Sequence, residues 1–162
     1  MNIVLHEPEI PQNTGNVART CAATGSTLHL IEPLGFSLDE KSIRRAGLDY
    51  WHLVTVKTYK NFEDFLEQNS YPIIYMATTK SKQLYTEVNY EPDAYIMFGK
   101  ETAGIPEEIL LKYKETCLRI PMIDEARSLN LSNSVNIVLY EALRQNNFLS
   151  LQKEGQLHHY KW

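Results

Sequence analysis

The sequence predicts an α/β fold with a mainly parallel sheet flanked by helices. Two patterns carry this reading. Six short apolar runs of strand length recur along the 162 residues, and helical patterns separate several of them. Parallel neighbours need crossovers long enough to hold a helix, so such alternation reads as a parallel sheet. Gly-bearing or small polar turns follow several of the strand-like runs, and ligands of parallel sheets sit outside the carboxyl ends of the strands.

The first run, Ile3–Leu5, leads into Pro11-Gln-Asn-Thr-Gly-Asn-Val-Ala-Arg-Thr-Cys-Ala-Ala-Thr-Gly25. Asn13 or Thr14 is placed to cap a helix there, with Val17, Ala18, Cys21 and Ala22 on one face and Gly25 as its C-terminal stop. Asn16 and Arg19 are helical neighbours, and Arg19 lies off the apolar stripe. It is either a solvated cation or a guanidinium aimed at phosphate or ribose. The next strands are Leu28–Ile31 and Leu53–Val56. Asn61 then caps a helix that puts Phe62, Phe65 and Leu66 on one face.

Strand Ile73–Ala77 ends at Thr78-Thr79, and strand Ala94–Phe98 ends at Gly99. A Gly-bearing turn containing Glu101 and Gly104 follows, and a helix begins near Pro106 and runs to Tyr113. That segment is either an ordinary strand–turn–helix connection or a turn that lets backbone approach a ligand. The last strand, Cys117–Ile120, opens the most informative stretch. Ser128, Asn130, Ser132, Asn133 and Ser134 crowd the start of the final helix, Ser132 to Asn146. One or two such residues suffice to cap a helix. The excess suggests a loop that wraps a polar, largely uncharged ligand. It lacks the Gly-Lys-Ser/Thr ending of a P-loop. In the final helix Val135, Ile137, Val138, Leu139, Tyr140 and Leu143 are apolar around much of the circumference, which calls for burial on more than one face.

Bulk properties suit one globular domain spanning 1–162. Hydrophobic residues make up 43% and charged residues 22%, which argues against disorder. No stretch is apolar enough to span a bilayer and no signal peptide is visible, so a cytoplasmic location is expected. Cys21 and Cys117 are too few for a disulfide framework or a zinc site and read as small buried hydrophobes. His158 and His159 lie in a polar tail, and no metal site is expected. The net charge of −4 counts mildly against nucleic-acid binding. Positive charge is nevertheless clustered at Lys41, Arg44 and Arg45, at Lys57 and Lys60, at Lys80 and Lys82, and at Lys112, Lys114 and Arg119.

The segments at 11–25, 93–106 and 120–135, in this order and spacing, resemble the three signature motifs of the SPOUT superfamily of knotted RNA methyltransferases. The opening Asn2-Ile-Val-Leu-His-Glu-Pro-Glu-Ile-Pro-Gln-Asn-Thr-Gly-Asn16, the central Arg44-Arg-Ala-Gly-Leu-Asp-Tyr50 and the closing Arg127-Ser-Leu-Asn-Leu-Ser-Asn133 are similar to the subfamily of tRNA (cytidine/uridine) 2′-O-methyltransferases acting at wobble position 34. The resemblance implies a C-terminal trefoil knot, a homodimer packed through the first and last helices, S-adenosylmethionine as cofactor and the tRNA anticodon loop as partner.

Residue by residue, the resemblance puts Ala77, Gly99, Ile120, Ser128 and Leu129 at the cofactor. It puts Arg19 at the chemistry; Asn130 is a further candidate there, and Asn13, Asn16, Arg44, Arg45 and Ser132 are candidates for the substrate, with helix capping the other reading of Asn130 and Ser132. Tyr50 and Trp51 are expected near the anticodon loop with Arg44 and Arg45. Glu101 is expected near the cofactor's amino-acid moiety or sulfonium, or solvated in its turn. Arg19 is too weak an acid to serve as a base, so a donor to the developing alkoxide or to a phosphate is its expected role. Methylation of ribosomal RNA or another tRNA position, and a non-catalytic module of the same fold, are the alternatives.

Overall fold

A computed structural model describes residues 1–38 and 51–162. Its elements are β1 (Asn2–His6), α1 (Pro11–Thr24), β2 (Thr27–Ile31), β3 (Val56–Tyr59), α2 (Phe62–Gln68), β4 (Ile74–Ala77), β5 (Tyr95–Phe98), α3 (Glu107–Lys112), β6 (Cys117–Leu118) and α4 (Leu131–Gln145). One sheet of six strands runs in the order β3-β2-β1-β5-β4-β6, and every pairing is parallel. The chain winds outward from β1 to β3, crosses to the other side, and returns β5 to lie against β1. The strand order therefore reverses between β1 and β5. Ligands of parallel sheets sit outside the carboxyl ends of the strands near such a point.

Strand side chains alternate between two cores. Ile3, Leu5, Leu28, Leu30, Ile96 and Phe98 pack with Val17, Ala18 and Cys21 of α1 and Val135, Val138 and Leu139 of α4. Val4, Ile31, Met76 and Met97 pack with Phe65 and Leu66 of α2 and Leu110 of α3. Both faces of the inner strands are covered, so those strands read as largely apolar runs, whereas the edge strand β3 exposes Lys57 and Thr58. Cys21 and Cys117 are free and buried, and burial pushes the Cys21 thiol up to about 12. Asn61 caps α2 through its side chain, which accepts from Asp64 N–H. Gly25 ends α1 in the left-handed conformation at φ 66°.

Three expected boundaries move. α1 begins at Pro11 rather than after Asn13 or Thr14, with Ile10 as its uncapped N-terminal neighbour. Proline fits the first helical position because its missing N–H would be unpaired there anyway. The third strand begins at Val56, not Leu53, because its register pairs Leu28 with Val56 and Ile31 with Tyr59. Leu53 ends a short 3-10 turn and is exposed. The sixth strand keeps only Cys117 and Leu118 in the ladder, while Arg119 bridges to Leu84 and Ile120 leaves the sheet. In α4, Val135, Val138, Leu139, Ala142 and Leu143 are buried, whereas Tyr140 is 47% exposed. Arg44, Arg45 and Tyr50 lie outside the described residues.

Candidate active site

Strand register sets up the site. Phe98 of β5 pairs with Leu5 on one side and Ala77 on the other, and Ala77 pairs with Leu118. These four strands thus end at one level, and the loops beginning at Glu7, Thr78, Gly99 and Arg119 emerge together. Beside them lies a cavity of about 590 Å³, lined by Ala77 to Lys80, Phe98 to Ile105, Ile120, Met122, Arg127 to Leu131, and Ile10, Asn13 and Ser134. That volume falls within the roughly 300–1,000 Å³ range of small-molecule sites.

The loop after β5 is stitched to the loop after β1, residue against residue. Lys100 Nζ pairs with Glu7 Oε2 at 2.8 Å. Glu101 accepts from Glu9 N–H at 2.8 Å, from Ile10 N–H at 3.3 Å and from Asn13 Nδ2 at 2.9 Å. Thr102 donates from N–H and Oγ1 to Glu9 Oε2, at 3.1 and 2.8 Å. The hydrogen bond to Glu7 holds the Lys100 ammonium above its ordinary value. All three glutamates are thereby occupied by donors of this chain.

The network continues into the third loop. Asn130 Nδ2 donates to Asn13 Oδ1 at 2.9 Å. Asn130 Oδ1 in turn accepts from Ser132 N–H, Ser132 Oγ and Asn133 N–H at the start of α4. The direction of this chain of bonds is fixed from both ends. A carboxylate only accepts, and a helix N-terminus only donates, so both amides between them have one orientation. Gly99 serves a packing need as well. A Cβ built there would run into the backbone of Gly104 and Ile105, where Gly104 N–H returns to Lys100 C=O at 2.8 Å.

Comparisons with known proteins identify the family. The SpoU rRNA Methylase family matches residues 1–140. The chain belongs to that family. A relative from Escherichia coli (strain K12), named tRNA (cytidine(34)-2'-O)-methyltransferase, is 49% identical over 146 residues, covering 90% of this chain and 93% of its own. A solved structure described as giving insights into the 2-OH methylation of C/U34 on tRNA superposes with a TM-score of 0.84 at 43% identity, over 90% of this chain and 95% of that one. An AdoMet-bound rRNA methyltransferase from Sinorhizobium meliloti gives a TM-score of 0.77 at 25% identity, over 88% of this chain and 55% of that one.

Against this family background, the predicted residues fall into three groups. Ala77, Gly99, Ile120, Ser128 and Leu129, the expected cofactor residues, all line the cavity, and Asn13 and Asn130 join them. Asn16 and Arg19 lie exposed on α1 and do not line it. Ser132 is buried and turned inward, its hydroxyl donating to Asn130 Oδ1 at 2.7 Å. Of the small polar residues before α4, Asn130 is the helix cap, while Ser128 remains on the cavity wall. Glu101 lines the cavity and is not a free turn carboxylate, since its two oxygens hold the start of α1. Sequence reasoning missed Ile10, Lys100, Thr102 and Arg127. Ile10 had a signal, since an isoleucine directly before a helix-opening proline is a poor cap.

Proposed function

We propose that the chain transfers a methyl group from S-adenosylmethionine to the ribose 2′-hydroxyl of the wobble pyrimidine, position 34, of tRNA. The observation that carries this reading is the convergence of all five expected cofactor residues on one cavity beside the carboxyl ends of β4, β5 and β6. High identity to a relative named for this reaction supports the choice of substrate. The family's description names rRNA, so ribosomal RNA is the control substrate.

The cavity suits the cofactor. Its walls mix aliphatic surface from Ile105, Ile120 and Leu129 with hydroxyl and amide groups from Ser128 and Asn130, as an adenosine with an amino-acid tail requires. Backbone groups at Gly99 and Ile120 would hold adenine and ribose, Ser128 and Leu129 would close over the base, and Ala77 would form part of the wall. When bound, the cofactor supplies a methyl group on a sulfonium, already a strong electrophile. The protein's task is then placement, which can account for roughly 7–11 kcal/mol of a barrier.

Arg19 and Asn16 stand on α1 outside the chain's own cavity, which suits action on substrate at a partner's cofactor. The reading therefore includes a homodimer of single-domain subunits packed through α1 and α4, with exposed Tyr140 in the interface. It also includes a C-terminal trefoil knot, a cytoplasmic location and no metal requirement. Arg44 and Arg45 complete it as contacts to the anticodon loop. Arg19 would donate to the developing alkoxide or grip the adjacent phosphate. Asn130 acts by holding the loop that carries Ser128, and Ser132 by holding Asn130. The test is methylation of purified tRNA and rRNA, followed by nuclease digestion and mass spectrometry. A 2′-O-methylpyrimidine at position 34 is expected. Methyl on a base atom, or on rRNA alone, would overturn the reading.

A further inference from the structure

Ile10 breaks a local rule. It is the N-terminal neighbour of α1, with extended backbone at φ −106° and ψ 112° and no side-chain cap. Isoleucine is among the poorest residues at that position, where Ser, Asn or Asp would bond the first helical N–H groups. The side chain is also not a core residue. It is 42% exposed and belongs to neither apolar cluster nor to the partly buried residues packed against them. It does line the cavity. Departures from local rules concentrate where function demands a residue that stability does not.

The main chain around Ile10 is pinned. Its N–H donates to Glu101 Oε1 at 3.3 Å, and its carbonyl accepts from Asn13 and Thr14 N–H at 3.1 and 3.3 Å. Pro11 restricts it to extended backbone, and β-branching stiffens its first side-chain torsion. The result is a rigid aliphatic group held at the edge of the cavity. The second such group, Leu129, is 39% exposed and sits on the loop expected to cover the cofactor. Ile10 sits at the N-terminus of α1, outside that loop.

We propose that Ile10 is a substrate contact: the apolar wall on which the unstacked nucleotide carrying the target ribose is seated. Reacting atoms must come within roughly 3–3.5 Å of each other, so that nucleotide has to enter the cavity mouth. A base lifted out of its stack offers a face that aromatic or apolar side chains cover. Glu101 fixes the main chain there by accepting from Glu9 and Ile10 N–H, while the Ile10 carbonyl takes the Asn13 and Thr14 N–H groups. This inference rests on the proposed RNA methylation.

Ile10→Ser separates the roles, because serine is the better cap and the poorer wall. The variant should melt at or above the wild-type temperature, by up to about 4 °C for a gain typical of a cap. It should bind S-adenosylmethionine within about twofold of wild type and keep the wild-type mass in light scattering. It should lose roughly tenfold in kcat/KM for tRNA, mostly in KM, as expected when an aliphatic contact is removed. Ile10→Leu, which keeps the apolar surface, should retain most activity. Unchanged kcat/KM would overturn the proposal. So would a parallel loss of cofactor affinity, which would make Ile10 a cofactor wall, or a lower melting temperature or altered mass, which would make it a packing or interface residue. If wild type itself methylates no RNA, the proposed function fails instead.

Discussion

Glu101→Gln is a one-atom change with a large expected consequence. The carboxylate accepts three hydrogen bonds, from Glu9 N–H, Ile10 N–H and Asn13 Nδ2. Glutamine keeps one acceptor oxygen and turns the other position into a donor that faces donors. One or two charge-assisted bonds are lost, each worth roughly 1.5–3 kcal/mol. Part of the group is open to water, so a total of about 2–3 kcal/mol is expected. For a domain of this size that lowers the melting temperature by about 5–10 °C. Asn13 has no escape by turning over, because Asn130 presents it with a donor and is itself held by Ser132 and Asn133 at the start of α4. The same logic predicts a rescue. Asn130→Asp alone is also destabilising, since it faces Asn13 Oδ1 with an acceptor. Combined with Glu101→Gln it reverses the whole chain of bonds: the new carboxylate accepts from the Asn13 amide, and Asn13 Oδ1 accepts from the new glutamine amide. Thermal melts of the wild type, the two single variants and the double variant form the assay. More than half of the Glu101→Gln loss should be recovered. Losses that simply add, or a single variant melting within about 1 °C of wild type, would refute the directional network.

Three further outcomes are expected. Gly99→Ala drives a methyl into the backbone of Gly104 and Ile105, so it should cost roughly 1–3 kcal/mol and weaken cofactor affinity in calorimetry; a variant indistinguishable from wild type would contradict this. His29 is fully buried, bonded to Tyr59 Oη at 2.8 Å and Asn2 Oδ1 at 3.1 Å, and held down to about 4 from 6.5 chiefly by burial. The unfolded chain therefore takes up a proton that the folded chain refuses, and stability falls as pH drops from about 6.5 to about 4, by up to roughly 3 kcal/mol. His6, lowered by the same cause, adds in the same direction; urea melts across that range should show a shallower slope in His29→Gln, and an equal slope would contradict the assignment. Arg19→Ala should leave cofactor affinity within about twofold and remove most turnover, with Arg19→Lys rescuing little because it lacks the planar fork; lost cofactor binding with intact single-turnover chemistry would reverse the roles.

What was legible in the chain followed from local chemistry. Alternation of apolar strands with helical patterns placed the parallel sheet, Asn61 and Gly25 marked helix ends, and the turns after β4, β5 and β6 pointed to one end of the sheet. What was hidden depended on partners far away in sequence. Asn13 looks like a cap from its neighbours, but its amide is taken by Glu101 and Asn130, 88 and 117 residues distant. Ser132 looks like a ligand contact, yet helix geometry turns its hydroxyl back to Asn130. Leu53 is apolar enough for a strand, but the pairing of β2 with β3 starts three residues later, which lets Tyr59 reach His29. The carboxylate of Glu101 could be read as solvated or as a cofactor contact; only the crossing of β5 beside β1 brings it to the start of α1.

The central claim, methylation of the wobble ribose, is tested most directly with two anticodon stem-loop RNAs that differ by one oxygen. One carries an ordinary pyrimidine ribonucleotide at position 34 and the other its 2′-deoxy counterpart. With labelled S-adenosylmethionine, label should enter the first RNA at position 34 and be absent from the second. Equal labelling of both would place the methyl elsewhere and contradict the account.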